Sequence, residues 1–137
     1  MFFLHGAFHI YQNGRFIKKI TQKTDKALYN KIEEVLMTEG SDIVCVFQSE
    51  NKKETIEANE YLKCCYDKLK EISGNLVIIG SSLDDNDDHI FSQINKSYLE
   101  TIYVSIFNKT NAKIKKAKQK FPNKKVVIFD AETISYN

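Results

Sequence analysis

Gly80-Ser81-Ser82 follows directly on the apolar run Leu76-Val77-Ile78-Ile79 and precedes an acidic knot, Asp84-Asp85-Asn86-Asp87-Asp88. Glycine lets a ligand approach the backbone closely, and serine hydroxyls bond ribose or phosphate oxygens. A buried parallel strand that ends in this way delivers polar groups to the ligand edge of an open α/β sheet. The segment predicts a nucleotide-type site at Gly80, Ser81 and Ser82. The plain alternative is a strand-to-loop turn capped by its own hydroxyls. His5-Gly6 is the second feature with chemistry, because an imidazole beside a flexible glycine could serve as a general base. A partly buried strand histidine is the simpler reading of the same residue.

Other clusters fail on spacing. His9 lies about 13 Å along a strand from His5, too far for the two to share one metal ion. Asp84, Asn86 and Asp88 fall on the first, third and fifth positions of an EF-hand loop. His89 then stands where the turn glycine belongs, and Asn95 where the bidentate glutamate belongs. Asp87 or Asp88 reads instead as the cap of a following helix, favoured by its dipole. Asp42 with Glu50-Asn51-Lys52 imitates a nuclease motif, but the two carboxylates bracket one strand, roughly 26 Å apart. No metal site is expected. Cys64 and Cys65 read as core filler without a basic neighbourhood to activate a thiolate. The lysines at 113, 115, 116, 118 and 120, with Lys124 and Lys125, could touch phosphate, but they read rather as the solvated face of an amphipathic helix, and nucleic acid is an unlikely partner.

The elements that must position these groups alternate along the chain. Phe2 to Ile10 reads as a strand interrupted by Gly6, Asn13-Gly14 as a hairpin turn, and Arg15 to Ile20 as the returning strand. Leu28, Ile32, Val35 and Leu36 share one helical face, stopped by Gly40. Ile43 to Phe47 is a continuous apolar run suited to a strand covered on both faces. Tyr61, Leu62, Cys65, Leu69 and Ile72 form the inward stripe of a longer helix ended by Gly74. Leu76 to Ile79 is the next buried strand. Ile90, Phe91 and Ile94 then mark a helix, Ile102 to Phe107 a strand, and Ile114, Ala117 and Phe121 a Lys-rich helix ended by Pro122. Val126 to Phe129 closes the series. Such alternation argues for parallel βαβ units. The expected fold is α/β: a Rossmann-like parallel sheet of about four core strands with helices on both faces, plus an N-terminal β-hairpin. The whole chain, 1–137, is expected to be one domain.

Composition narrows the classes. Charged residues make up 28% and hydrophobic ones 42% of 137 residues, the balance of a globular protein, and the formal net charge of +2 does not mark a nucleic-acid binder. Three cysteines, two of them adjacent, form neither a disulfide framework nor paired zinc knuckles, so a reduced, cytoplasmic setting is expected. No apolar run approaches the roughly 20 residues of a membrane span. The opening Met1-Phe2-Phe3-Leu4-His5-Gly6 makes a poor signal peptide. With five glycines and no GxGxxG or P-loop cluster, the usual dinucleotide turn is missing.

Phe3-Leu4-His5-Gly6, followed later by Leu76 to Leu83, resembles the second half of sirtuin-like NAD-binding domains. A closer resemblance is to the bacterial domain-of-unknown-function family 4917, in "FFLHGAFHIY", in "VFQSENKKETI" before "YLKCCYDKL", and in "GSSLDDNDDHI". It spans Phe2 to about Phe107. The sirtuin-like resemblance implies NAD as cofactor, with His5 as the base acting on the nicotinamide ribose. The cofactor-binding set it implies is Gly6, Gly80, Ser81, Ser82 and Asp87. The early glycine-rich phosphate loop of such enzymes would lie before the His-Gly pair, where this chain has only Met1 to Leu4. Their zinc-binding cysteine quartet is absent too, which argues against protein deacylation. The expectation is therefore a fragment or truncated relative of an NAD-binding or NAD-hydrolysing protein, inactive alone. Its partner would be a missing N-terminal segment or another copy, with no membrane. A non-catalytic binding or oligomerisation module and a small nucleotide- or nucleic-acid-binding domain are the alternatives.

Overall fold

Gly14 opens the two-residue turn of a hairpin whose strands pair Asn13 with Phe16 and Ile10 with Lys19. These strands are β1 (Gly6–Asn13) and β2 (Phe16–Lys19). Gly14 takes φ 57° while Arg15 stays at negative φ. That is the pattern of a II′ turn with glycine first, rather than the I′ turn that Asn-Gly suggests. The computed structural model describes residues 3–21, 26–46 and 51–135. The chain divides into two compact units, Met1–Cys65 and Tyr66–Asn137.

In the first unit, helix α1 (Leu28–Leu36) follows the hairpin and leads into β3 (Ser41–Cys45). The sheet order is β2-β1-β3, antiparallel throughout. The apolar run that begins at Ile43 thus joins the hairpin rather than the parallel sheet. Its Phe47 end lies outside the described residues. An apolar run says that a strand is covered, not which neighbour it pairs with. Here only Val44 is buried, so the run is not covered on both faces. Strand β1 starts at Gly6, and the Phe2 end of the expected strand lies outside the described residues. Ahead of it the Gly6 N–H donates to the Phe3 carbonyl (3.0 Å), closing a turn that contains His5. Helix α2 (Lys52–Ala58) precedes α3 (Glu60–Lys68). Between them the Asn59 side-chain oxygen accepts from the N–H groups of Tyr61 and Leu62 (both 3.1 Å), capping α3. The Asn59 amide nitrogen donates to Gln12 on β1 (2.9 Å), which ties that cap to the sheet.

The second unit is β4 (Ser73–Ile78), α4 (Asp88–Lys96), β5 (Tyr98–Ile106), α5 (Asn111–Lys120) and β6 (Lys125–Asp130). Its sheet is parallel in the order β4-β5-β6, with Leu76, Ile102 and Val126 in one row and Ile78, Val104 and Ile128 in the next. Ile102 and Val104 are fully buried, as are Ala117 and Phe121, and the stripe Ile90, Phe91 and Ile94 is buried as its spacing requires. Gly74 does not end a helix. It sits inside β4 at φ 82°, where the register shifts because Glu100 of β5 is an extra residue between Leu99 and Thr101. The α/β class is the architecture observed: a parallel sheet flanked by helices, with an N-terminal antiparallel hairpin. The parallel sheet has three strands, because the segment from Ser41 pairs with the hairpin. Among the described residues no helix is long and apolar enough to cross a membrane.

Candidate functional site

Strands β4, β5 and β6 end together around a cavity of about 580 Å³, lined by residues from each strand's C-terminal side. Ile79, Gly80, Ser81, Ser82, Leu83 and Asp84 come from beyond β4. Ser105, Ile106 and Phe107 come from the end of β5, and Ala131 and Ile134 from beyond β6. Lys113 and Lys116 of α5 complete the wall. In a parallel sheet all carboxyl ends point the same way, so the loops after them converge on one rim, where ligands of open α/β sheets bind. The volume falls in the range of small-molecule sites.

The turn after β4 is built tightly. Gly80 has φ 72°, and a side chain there would meet nothing within 4 Å, so the glycine serves the backbone conformation and leaves open space. Ser81 Oγ accepts from the Leu83 N–H (3.1 Å). That bond closes the turn in which Leu83 adopts φ 55°, although its side chain is only 4% exposed. A bulky residue held in the left-handed region is strained, and such strain collects at ligand-handling turns. Lys116 Nζ donates to the Ser82 carbonyl (3.2 Å) and to Asp84 Oδ1 (2.6 Å). The Lys116 bond and a second from the Ser82 side chain hold the Asp84 carboxyl below the usual carboxylate range. The turn is therefore clasped to α5 at neutral pH, and the clasp is lost as acid protonates Asp84.

Two groups remain available to a ligand. Ser105 is 6% exposed and lines the cavity, and its hydroxyl has no hydrogen-bond partner among the described residues. Lys113 Nζ donates to the Phe107 carbonyl (2.7 Å), and no carboxylate among the described residues pairs with it. Its positive charge is thus uncompensated at the cavity wall. Ile79, Phe107 and Ile134 supply an apolar side. This set suits a ligand with an anionic group and a flat or apolar body.

Of the residues singled out from sequence, Gly80, Ser81 and Ser82 meet in this cavity. Asp87 does not line it. It takes the N-cap position of α4, without a capping bond from its side chain. The neighbouring Asp85 and Asp88 receive Lys120 of α5 instead. His5 and Gly6 belong to the first unit. The His5 carbonyl accepts from the Val46 N–H (2.7 Å), and Gly6 pairs with Cys45 of β3. His5 lies in the turn before β1 of the antiparallel sheet, and Gly80 follows β4 of the parallel one. Glu50 of the nuclease-like pattern lies outside the described residues. Ser105 and Phe107 were not singled out from the sequence, and Lys113 and Lys116, read there as a solvated helix face, line the cavity. Their signal was positional: Ser105 and Phe107 stand at the end of β5, and Lys113 is in the first turn of the helix that follows. Among the described residues no group of three or more His, Cys, Asp or Glu is placed to hold a metal ion.

The model of the family described as "Domain of unknown function (DUF4917)" matches residues 1–136. The chain belongs to this family. The DUF4917 match runs through both units, so the three-strand parallel sheet and its cavity lie within it. No curated protein and no solved structure matches the chain.

Proposed function

We propose that the second unit binds a nucleotide, and that NAD or its ADP-ribose portion is the ligand. The observation that carries this reading is the cavity at the joint ends of β4, β5 and β6, with Gly80-Ser81-Ser82 on one side and Lys113 on the other. The phosphates would lie against the glycine-serine turn and the Lys113 ammonium, which acts as a point charge for phosphate. Ser105 would hydrogen-bond a ribose hydroxyl. Ile79, Phe107 and Ile134 would cover the base. The choice of NAD among nucleotides rests on the resemblance to sirtuin-like proteins. So does the role of His5 as base in nicotinamide release, and the binding reading stands without that step.

Calorimetry on the full chain tests it. ADP-ribose and NAD should bind, and adenosine, which lacks phosphate, should bind far more weakly. Lys113→Ala should weaken ADP-ribose by roughly tenfold or more, since a hydrogen bond to a charged group is worth about 1.5–3 kcal/mol. Lys113 is exposed, so this change should leave the fold intact. Absence of heat and of any thermal shift with both phosphorylated ligands would remove the proposal.

A second reading has an observation of its own. Val77 is 55% and Ile79 is 52% exposed, on strand and strand end of the parallel sheet. Apolar side chains of a sheet left this open fit an assembly surface for another copy or a further segment.

A further inference from the structure

We infer a second ligand site in the first unit, in the groove between α1 and the hairpin sheet, and assign it to a small phosphorylated compound. It is independent of the nucleotide reading. The groove has a volume of about 910 Å³. Register explains its floor: Lys18 of β2 stands directly opposite Tyr11 of β1, which stands opposite Ile43 of β3, so the three share one face of the sheet. Helix α1 packs on β1 and β3. Lys18 on the outer strand β2 lines the opening that remains.

Helix α1 does not fill this space. None of its residues is buried, and Leu28 and Leu36 of the expected inward stripe are 48% and 59% exposed. A solvent-open groove of this size beside the helix has room for a small molecule. The charge says which guest. Among the described residues, Lys18, Lys26 and Lys31 line the groove against one carboxylate, Glu34, which Lys26 takes, while Lys19, also in the lining, holds its ammonium 5.7 Å from the centroid of the Phe3 ring. Lys31 Nζ donates to the Thr21 carbonyl (2.6 Å), and Lys18 has no partner among the described residues. Like charges converging on one concavity raise its potential and concentrate anions there. Tyr11 and Ser41 add hydroxyls that can donate to phosphate oxygens, whereas the Thr38 hydroxyl already donates to the Glu34 carbonyl (2.7 Å). A phosphate or diphosphate group with an organic body matches the charge, the donors and the volume.

The test uses the full chain carrying Lys113→Ala, so that the other cavity is weakened as a phosphate site. Inorganic pyrophosphate is titrated at low salt by calorimetry. Saturable binding is expected, reduced at least tenfold by the double change Lys18→Gln with Lys31→Gln and retained by Lys18→Arg with Lys31→Arg. The arginine pair keeps the charge and controls for folding. No saturable binding, or binding indifferent to the glutamine pair, overturns the inference. So does a single-stranded oligonucleotide that outcompetes pyrophosphate with a steep salt dependence, because the groove would then be a nucleic-acid track. A failure of ADP-ribose to bind the unmodified chain at Lys113 would leave this result unaffected.

Discussion

Gly6→Ala should strongly destabilise the first unit. A Cβ at that position would lie 1.9 Å from the Val44 carbonyl oxygen, 2.6 Å from its carbon and 2.9 Å from Cys45 Cα, all backbone atoms of the neighbouring strand. No rotamer change relieves a clash with backbone. The strands β1 and β3 must part at this end, losing the Val46 N–H to His5 carbonyl bond. Left-handed strain adds about 1–2 kcal/mol, since Gly6 sits at φ 73°. Forced displacement in a packed region adds about 1–3 kcal/mol. That total is a large fraction of the roughly 5–15 kcal/mol that holds a domain together. Gly14→Ala is the control: it shares the positive φ but meets nothing within 4 Å. Denaturant unfolding should show a far larger loss for Gly6→Ala than for Gly14→Ala. Equal losses would mean that backbone strain alone, not the approach of β3, fixes glycine at position 6. This structural demand explains Gly6 without any cofactor.

Phe121→Ala should cost the second unit about 3–5 kcal/mol, the range for deleting a buried phenyl ring. Phe121 is 1% exposed and packs edge-on against Phe91 of α4, with ring centroids 5.5 Å apart and planes at 81°. Such pairs add about 0.5–1.5 kcal/mol beyond burial. The ring joins the end of α5 to α4, and α5 carries Lys113 and Lys116 to the cavity. Losing the ring should therefore lower ADP-ribose affinity along with the unfolding midpoint. Phe107→Ala is the contrast, because that ring is 59% exposed and lines the cavity. It should weaken the ligand while barely moving stability. A Phe121→Ala protein with an unchanged midpoint would contradict the packing described.

What the sequence disclosed follows the strength of each local signal. The order of strands and helices in the second unit was legible, since short apolar runs separated by helical stripes admit few arrangements once parallel pairing is assumed. Strand β4, expected to be buried, leaves Val77 exposed, and Ile79 just beyond it is exposed too. The stripe Ile90, Phe91 and Ile94 is buried as expected, while the stripe Leu28 to Leu36 is not. Periodicity reports which residues share a face and says nothing of whether a partner fills the space beneath it. Strand β3 shows the same limit, because an apolar run does not name its neighbour. The Lys-rich helix read as a solvated face. Two of its lysines, Lys116 and Lys120, are four residues apart and bind the acidic knot at Asp84, Asp85 and Asp88. That complementarity was present in the sequence as an i, i+4 lysine pair and an acidic loop, and only the topology of β4-α4-β5-α5 brings them together. The glycine-serine turn was found because its residue types are unusual at a strand end. Ser105 was missed because one serine ending an apolar strand carries no such mark.

The most direct test of the nucleotide cavity is the backbone amide spectrum of the isotopically labelled chain, followed by NMR as ADP-ribose is added. The account predicts saturable shifts concentrated at Gly80 to Asp84, Ser105 to Phe107 and Lys113. Shifts confined to the first unit, or none at millimolar ligand, would contradict it.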